Sequence, residues 1–527
     1  MKIKRILLLA AFLSISAAKA QLVNVDPTFG NNGIAAVDFG NTFEAAVTST
    51  MQTDGKIILC GTVGFASDSR ISLARLLPNG LPDLSFGESG KKIITYDSQW
   101  GHIPRQVAVQ SDGKILISFL LNENNETRRM LVRLQANGDL DTGFGQQGYY
   151  KTSWERGEGW TGFKILSDGK ILCYGTNSEL FDGLYYGRVI AFRLLANGQL
   201  DASFNGPNYR VYRLRSVGAS RENALFLGAG SDQSDVIYAS SQNPVGGATT
   251  NYLLRIKPNG FLDSTFGTNG VQTFSFPGST VTVTGVLVTG TGSIRMPGMH
   301  RQNTSSIQTP VVYGIRANGK VDSTFGENGL GRYFLPNTSN FGQYIGVDVK
   351  TDAQGRFYLG YAGNSEQSTS RVFAVARLLP TGLPDLTYGQ QGSVTTSLPG
   401  TPQRLHLDLS DGLPIMTGQT NLSSIAQGDD MIALKIKQGA VSVQDVQAGL
   451  EAPYPNPLRS GEWLILPSKL SGPLFLSDLS GKRIEIPVSP SIDQENRTRI
   501  RLPQLQPGTY FLQTEGHLPA IPIQILP

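Results

Sequence analysis

The feature that most limits this chain is an element that returns about every sixty residues. Asp26-Pro-Thr-Phe29-Gly30 and Asp83-Leu-Ser-Phe86-Gly87 share the form Asp-x-x-(Phe/Tyr)-Gly. It recurs at Asp141–Gly145, Asp263–Gly267, Asp322–Gly326 and Asp385-Leu-Thr-Tyr388-Gly389, with a variant at Asp201-Ala-Ser-Phe204-Asn205-Gly206. Successive aspartates lie 57, 58, 60, 62, 59 and 63 residues apart. A fixed period of this size marks supersecondary units that bury a core only against their neighbours.

Two further landmarks keep the same beat. Asp54-Gly55-Lys56, Asp112-Gly113-Lys114 and Asp168-Gly169-Lys170 separate strand-like runs such as Gln106-Val-Ala-Val-Gln110 and Ile115-Leu-Ile-Ser118. A two-residue Asp-Gly link between β-rich runs is a hairpin signal, because both residues accept positive φ. Later copies decay to Asp232-Gln-Ser-Asp235, Thr291-Gly292 and Asp352-Ala-Gln-Gly355, then recover at Asp411-Gly412. Asn79-Gly80, Asn137-Gly138, Asn197-Gly198, Asn259-Gly260 and Asn318-Gly319 follow apolar runs, with Thr381-Gly382 and Gln438-Gly439 as substitutes. Each unit reads as strand, tight turn, strand, long loop, strand, tight turn, short strand. Four antiparallel strands repeated radially make a propeller blade. The expected fold is therefore all-β, a seven-bladed β-propeller of four-stranded blades over residues 21–440.

The ends of this region predict how the ring closes. The chain enters at Leu22-Val-Asn-Val-Asp26, which matches the last strand of a unit, and the seventh unit ends on Met431-Ile-Ala-Leu-Lys435. The N-terminal segment is expected to supply the outer strand of the last blade, with Val441-Ser-Val443 as its competitor. Composition agrees with a turn-rich β fold. Charged residues are 16% of the chain against about 25% in an average domain, and there are 61 glycines.

These motifs resemble the delta-60 repeat family, an uncharacterised group of bacterial β-propellers, over roughly residues 26–439. The order of strands and turns is also similar to a lengthened NHL-type repeat. In each unit the Asp is expected to cap a turn and the aromatic to pack between blades. No metal site is expected of the repeated Asp, since no Asp-rich calcium spacing accompanies it.

Antiparallel order puts the tight turns on one rim and the long loops on the other, and variable loops on a rigid scaffold are where sites gather. One set of loops is read as 122–127, 177–186, 240–251 and 364–370. The other carries Trp100, His102, Trp154, Arg156, Glu158 and Trp160, with Tyr185 and Tyr186 on the same rim. Indole faces beside Arg and Glu suit a sugar ring or a peptide, so these eight residues form the expected ligand site. An enzyme needs converging groups. The four histidines His102, His300, His406 and His517 are dispersed, and no His-Glu-x-x-His, Gly-x-Ser-x-Gly or phosphate loop occurs. The leading expectation is a non-enzymatic binding module without cofactor or catalytic residues. The alternative is a hydrolase or lactonase with carboxylates over the ring axis. Cys60 and Cys173 fall on near-equivalent strands of different units, one residue out of step, and read as small core residues.

The two ends carry an address. Lys2, Lys4 and Arg5 precede the apolar run 6–15 and the ending Ala18-Lys19-Ala20, the form of a secretory signal peptide over residues 1–20. No later run is long enough for a transmembrane helix. The formal charge of +4 comes from 45 basic and 41 acidic residues, and Lys2, Lys4, Arg5 and Lys19 account for it. The basicity is thus an export signal, and no nucleic-acid partner is expected. After a linker at 441–452 the sixty-residue beat stops, and alternating runs such as Leu474–Asp478 and Gly508–Leu512 suit a small β-sandwich over 453–527. Here Tyr454-Pro455-Asn456-Pro457, Asp478 to Gly481 and Lys482, and Gly508-Thr-Tyr510 resemble the type A C-terminal sorting domain of the bacterial type IX secretion system. The resemblance implies Sec export to the periplasm, passage across the outer membrane on the type IX machinery, and a secreted or cell-surface product of bacteria of the Bacteroidetes type.

Overall fold

In a computed structural model the described residues are 24–437 and 458–526, apart from 41–43, 98, 124–125, 152–157, 182–183, 206–209, 214–221, 230–234, 243–248, 275–278, 303–308, 328, 333–343, 365–370, 390–391, 398–402, 421–429, 460–462, 467–473, 479–482, 487–490, 493–497, 503, 507 and 515–520. The leader 1–20, the strand competitor 441–443 and the motif Tyr454–Pro457 lie outside them.

Each repeat unit folds as an antiparallel meander. In the first, Glu44–Met51, Ile57–Val63, Arg70–Leu76 and Lys91–Ile94 pair in chain order. The second strand, Ile-Ile-Leu-Cys-Gly-Thr-Val, is buried throughout, as expected of a strand covered on both faces. First strands of most neighbouring units touch one another around the ring, which makes them the innermost. Apolar clusters lie between neighbouring sheets. Phe86 joins Ile58 and Leu73 to Ile117 and Val132, and Phe144 joins Leu116 and Leu131 to Ile171 and Phe192. Met431 and Ala433 meet Ile57 and Leu59 to complete the circuit.

The seven four-stranded blades expected from the period are corrected to six. The fifth unit forms a five-stranded sheet because its innermost strand is broken into Ser279–Val283 and Leu287–Val288, both paired with Ile294–Gln302. The other six innermost strands carry a register shift at the same place, for example between Ala46 and Thr48 or Pro104 and Gln106. In the fifth unit the partner strand has Pro297, which lacks an N–H for the ladder. Its carbonyl is still used, accepting from Thr284 at 2.8 Å, but the pairing cannot run on through it. A bulge elsewhere becomes a break here.

Closure is made by the N-terminal segment, with one correction to its expected register. The outer strand of the last sheet is Ile34–Val37, paired from Ile34 with Leu434 to Val37 with Met431. The preceding residues do something else. Val25 bridges Ile436 and the Asp26 N–H donates to the Lys435 carbonyl at 2.8 Å. These match the Leu76–Pro82 bridge and the bond from Asp83 N–H to the Arg75 carbonyl in the first unit. In every unit the outer strand comes after the Asp-x-x-aromatic-Gly element, so Asp26 places it beyond Gly33 and not at 22–26.

The C-terminal residues form two sheets. One has five strands, among them Leu474–Asp478, Gly508–Thr514 and Ile521–Leu526; the other has three, Trp463–Leu466, Thr498–Arg501 and Ser491–Ile492. Leu464 and Ile500 of one sheet share an apolar cluster with Leu476 and Tyr510 of the other. Among the described residues no helix is long and apolar enough to cross a membrane.

Candidate functional site

The tight-turn rim is occupied by a clasp that repeats around the ring. In the first unit Arg75 Nε donates to Asp83 Oδ2 at 2.8 Å, while its guanidinium lies 4.7 Å from the centre of the buried Phe86 ring. Arg75 Nη1 also donates to the Ala136 carbonyl of the next unit, so one side chain ties two units together. Asp83 Oδ1 accepts from the backbone and hydroxyl of Ser85 at 3.1 and 2.7 Å. Lys56, from the Asp-Gly-Lys turn, comes to 3.3 Å of Asp83 Oδ2. Burial alone would raise the Asp83 pKa. The Ser85 donors, Arg75 and Lys56 outweigh it and hold the carboxyl at about 2.

Arg133 with Asp141, Arg193 with Asp201, Arg255 with Asp263 and Arg377 with Asp385 repeat the pair at 2.7 Å. The fifth unit has Gly314 where Arg is due. A Cβ there would stand 2.6 Å from that of Phe325, so the ring has taken the space. Arg295, from the neighbouring strand, substitutes at 3.2 Å from Asp322 and 4.3 Å from the Phe325 centroid. The expected roles of the Asp and the aromatic hold: the one caps its turn, the other packs between units. The arginine eight residues before five of the seven repeat aspartates went unread in the sequence. Its signal was available, since Arg75, Arg133, Arg193, Arg255 and Arg377 keep that spacing.

The residues expected to bind a ligand divide. Trp100 is half-buried against the core between the first two units, and its carbonyl accepts from Arg70 Nη1 at 3.3 Å. His102 is completely buried. Its Nε2 accepts from the Tyr96 and Asp97 N–H groups at 3.1 and 3.3 Å, and its Nδ1 faces the Ser69 carbonyl at 3.3 Å as donor. Burial depresses its pKa, the Ser69 bond opposes this and the Arg70 charge adds to it. His102 is a neutral anchor for the loop 95–101, and this corrects its expected place on the binding surface. Trp154 and Arg156 lie outside the described residues.

Glu158, Trp160, Tyr185 and Tyr186 gather at one end of the third sheet, but on strands where loops were expected. Glu158 pairs with Asn177 and Trp160 with Gly175 on the innermost strand. Tyr185 and Tyr186 pair with Leu180 and Glu179. The expected loops at 122–127 and 177–186 are continued hairpins, paired out to Glu123–Glu126 and Phe181–Leu184. Two-residue links, Asn124-Asn125 and Asp182-Gly183, are the turn signals that distinguish them. Near this end of the second sheet Glu123 binds Arg128 at 3.1 Å and Lys151 at 2.9 Å.

Both cysteines are free and buried, and burial pushes their thiols up. Of the C-terminal motif, Asp478 lies opposite Tyr510 in the sheet, Gly508 opens the strand of Tyr510, and the Tyr510 hydroxyl donates to the Gln506 carbonyl at 2.9 Å. Gly481 and Lys482 lie outside the described residues.

Radial four-stranded sheets, closed by an N-terminal strand and stitched by a repeated clasp, define a β-propeller repeat protein. In sequence, a family described as "Domain of unknown function (DUF5122) beta-propeller" matches residues 52–86, 110–144 and 233–266. Each matched stretch begins near the first tight turn of its unit and ends on the clasp aromatic. No curated protein sequence matches the chain. Among solved structures the chain is similar to the polysaccharide lyase Uly1, with 12% identity over 80% of this chain and 94% of that one, at a TM-score of 0.38. It is similar to the GH93 α-L-arabinofuranosidase of Fusarium graminearum, with 9% identity over 78% and 98% and a TM-score of 0.37. A Trypanosoma rangeli sialidase mutant with trans-sialidase activity aligns at 9% identity over 92% and 87%, with a TM-score of 0.37.

Proposed function

We propose that this chain is a secreted or cell-surface delta-60-type propeller that binds a glycan or protein on the rim opposite its clasps, without itself acting on the ligand there. The division of labour between the rims supports this reading. On the clasp rim Arg, Asp, Lys and aromatic side chains are committed to one another and to the next unit. The other rim is expected to vary from unit to unit, and in the sequence Trp, Tyr, Arg and Glu fall together around the second and third units, a composition suited to stacking with polar fixing. With His102 assigned to loop anchoring, the surface centres on Trp154, Arg156, Glu158, Trp160, Tyr185 and Tyr186, with Trp100 at its edge.

Delivery is the second half of the proposal. The leader directs Sec export, and the C-terminal unit, read as a β-sandwich, is the type IX sorting domain. The pairing of Asp478 with Tyr510 supports one folded unit built around the motif. The ligand surface is tested by substituting Trp154 and Trp160 with alanine and comparing the variant with the parent on a glycan array and in peptide capture. Loss of at least tenfold in apparent affinity is expected. Equal binding by the two proteins, or none by the parent, sinks the reading.

A further inference from the structure

The crossings between units carry a second repeated position. Ten residues after the clasp aromatic stand Phe39, Tyr96 and Trp154, in the crossings that lead into the first, second and third units. Leu214, Leu335 and Leu398 hold that place in three of the other four crossings, and Phe276 in the remaining one. Aromatic rings thus fall in three successive crossings. Each crossing leaves an outer strand that starts beside the clasp and enters an innermost strand that ends at the first tight turn, so it runs over the other rim.

In the first two of these crossings the ring is fixed in the same way. The residue that opens the innermost strand, Glu44 or His102, is buried and accepts the aromatic's own backbone N–H. Phe39 donates to Glu44 Oε1 at 2.6 Å, and Tyr96 to His102 Nε2 at 3.1 Å. The outer strand of the unit being entered then supplies a cation. Lys91 Nζ lies 5.5 Å from the Phe39 centroid, and Lys151 Nζ 5.9 Å from that of Tyr96. Tyr149 braces the Tyr96 ring edge-on at 4.8 Å between centroids, and Tyr96 still keeps 38% of its surface exposed. In the third crossing Trp154 is followed by Arg156, and Glu158 opens the third innermost strand as Glu44 and His102 open the first two.

The fold does not use up these cations. Lys91 donates to the Asp38 carbonyl, a neutral acceptor, and makes no ion pair among the described residues. Lys151 has Glu123 at 2.9 Å, but Glu123 also meets Arg128 at 3.1 Å, so one carboxylate serves two cations. An aromatic ring with a lysine beside it matches a pyranose that carries a carboxylate or sulfate: the C–H face of the sugar stacks and the anion meets the ammonium. Recurrence of the pair in adjacent units matches a polymer whose own residues repeat, which a peptide of varied side chains does not. Single-stranded nucleic acid also combines flat rings with anions, but it calls for a basic groove. Outside residues 1–20 the chain's basic and acidic residues are equal in number.

We propose that the crossings into the first three units form a row of subsites for an acidic polysaccharide, each made of one aromatic platform and one cation. The proposal rests on the reading of this rim as a glycan surface and names the class of glycan. Tyr96 with Lys151 is the central subsite. Phe39 with Lys91 flanks it on one side and Trp154 with Arg156 on the other. Glu44 and His102 are positioning residues that hold the rings from beneath without touching the ligand.

The test measures binding of the full chain to polygalacturonate, alginate and dextran sulfate, each beside its uncharged counterpart, carboxyl-reduced or unsulfated, with poly(dT) as a further arm. At least one acidic polymer is expected to bind about tenfold or more tighter than its counterpart, with the difference shrinking as salt rises. Lys151→Met should lower that preference by about threefold or more with an unchanged melting temperature. Tyr96→Ala should weaken binding by about tenfold and Tyr96→Phe by about twofold or less, because the ring and not the hydroxyl does the stacking. Equal binding of charged and uncharged forms, variants indistinguishable from the parent, or a preference for poly(dT) overturns the proposal. Should Tyr96→Ala fail to fold, Lys151→Met decides, and an unchanged preference overturns the proposal as well. Binding of uncharged glycans or peptides alone, lost on substitution of Trp154 and Trp160, overturns this proposal and spares the rim reading, whereas binding of nothing overturns both.

Discussion

The clasp shows how much one side chain can carry. Arg193 meets Asp201 Oδ2 at 2.7 Å, reaches the Pro258 carbonyl of the next unit and lies 4.8 Å from the Phe204 centroid. Breaking such a pair from one side strands the other charge, so Arg193→Leu is expected to cost about 3–5 kcal/mol by urea unfolding. Parent-like stability in that variant would show the pair to be dispensable. The clasp also sets an acid limit. Asp83 and Asp201 are held at about 2, below the roughly 3.9 of an unfolded aspartate. A depressed carboxyl stabilises the fold above the unfolded value and loses that contribution as pH falls through the folded one. The melting temperature should therefore be flat above about pH 5 and decline between about pH 4 and 2, with a shallower decline in Asp201→Asn. At this scale the sequence exposed the Asp and the aromatic because they share one short motif. It hid the Arg and Lys partners, which arrive from other strands. It also hid the ion pair of Lys350 with Asp408, whose members stand on strands of neighbouring units.

Among the elements, turn glycines and the closing strand decide most. Gly138 has φ +93°, and a Cβ on it would stand 2.8 Å from the Phe86 ring of the preceding unit. Gly138→Ala combines backbone strain with a collision at the clasp and should destabilise by about 1–3 kcal/mol in the same unfolding assay. The N-terminal residues 24–38 supply the Asp26 turn and an outer strand to the last sheet, far away in sequence. Their removal should lower the melting temperature and open the amides of Asp430–Lys435 to hydrogen exchange, while the Ile115–Glu123 strand stays protected. Uniform protection in the truncated chain would deny the closure. Strand number and order were readable because hairpin signals alternate with β-rich runs. The break in the fifth unit was not, since a bulge and a break differ only in whether Pro297 can complete a ladder whose register is set elsewhere. The extended hairpins at Glu123–Glu126 and Phe181–Leu184 were mistaken for loops because polar, Asn- and Tyr-bearing strand ends resemble loops in composition.

At the scale of the molecule, the ring assigns work to its surfaces by what each has left over. Clasps consume the polar groups of one rim, and the departures from the repeat, such as Gly314 and Pro297 in the fifth unit, mark where one unit is built differently from the rest. The period alone made the propeller legible, since units of this size must bury their faces against one another. A ligand surface is harder to read from the same string: its side chains come from several units and obey no period. His102 illustrates the cost, a loop histidine by sequence and a buried anchor in the fold. On the proposed function this ring works outside the cell and is delivered there by the C-terminal unit. Protease accessibility on intact cells, comparing the full chain with one lacking residues 452–527, tests it most directly. The full chain is expected at the surface or in the medium, and the truncated chain folded but retained in the periplasm. Equal surface exposure of the two would contradict it.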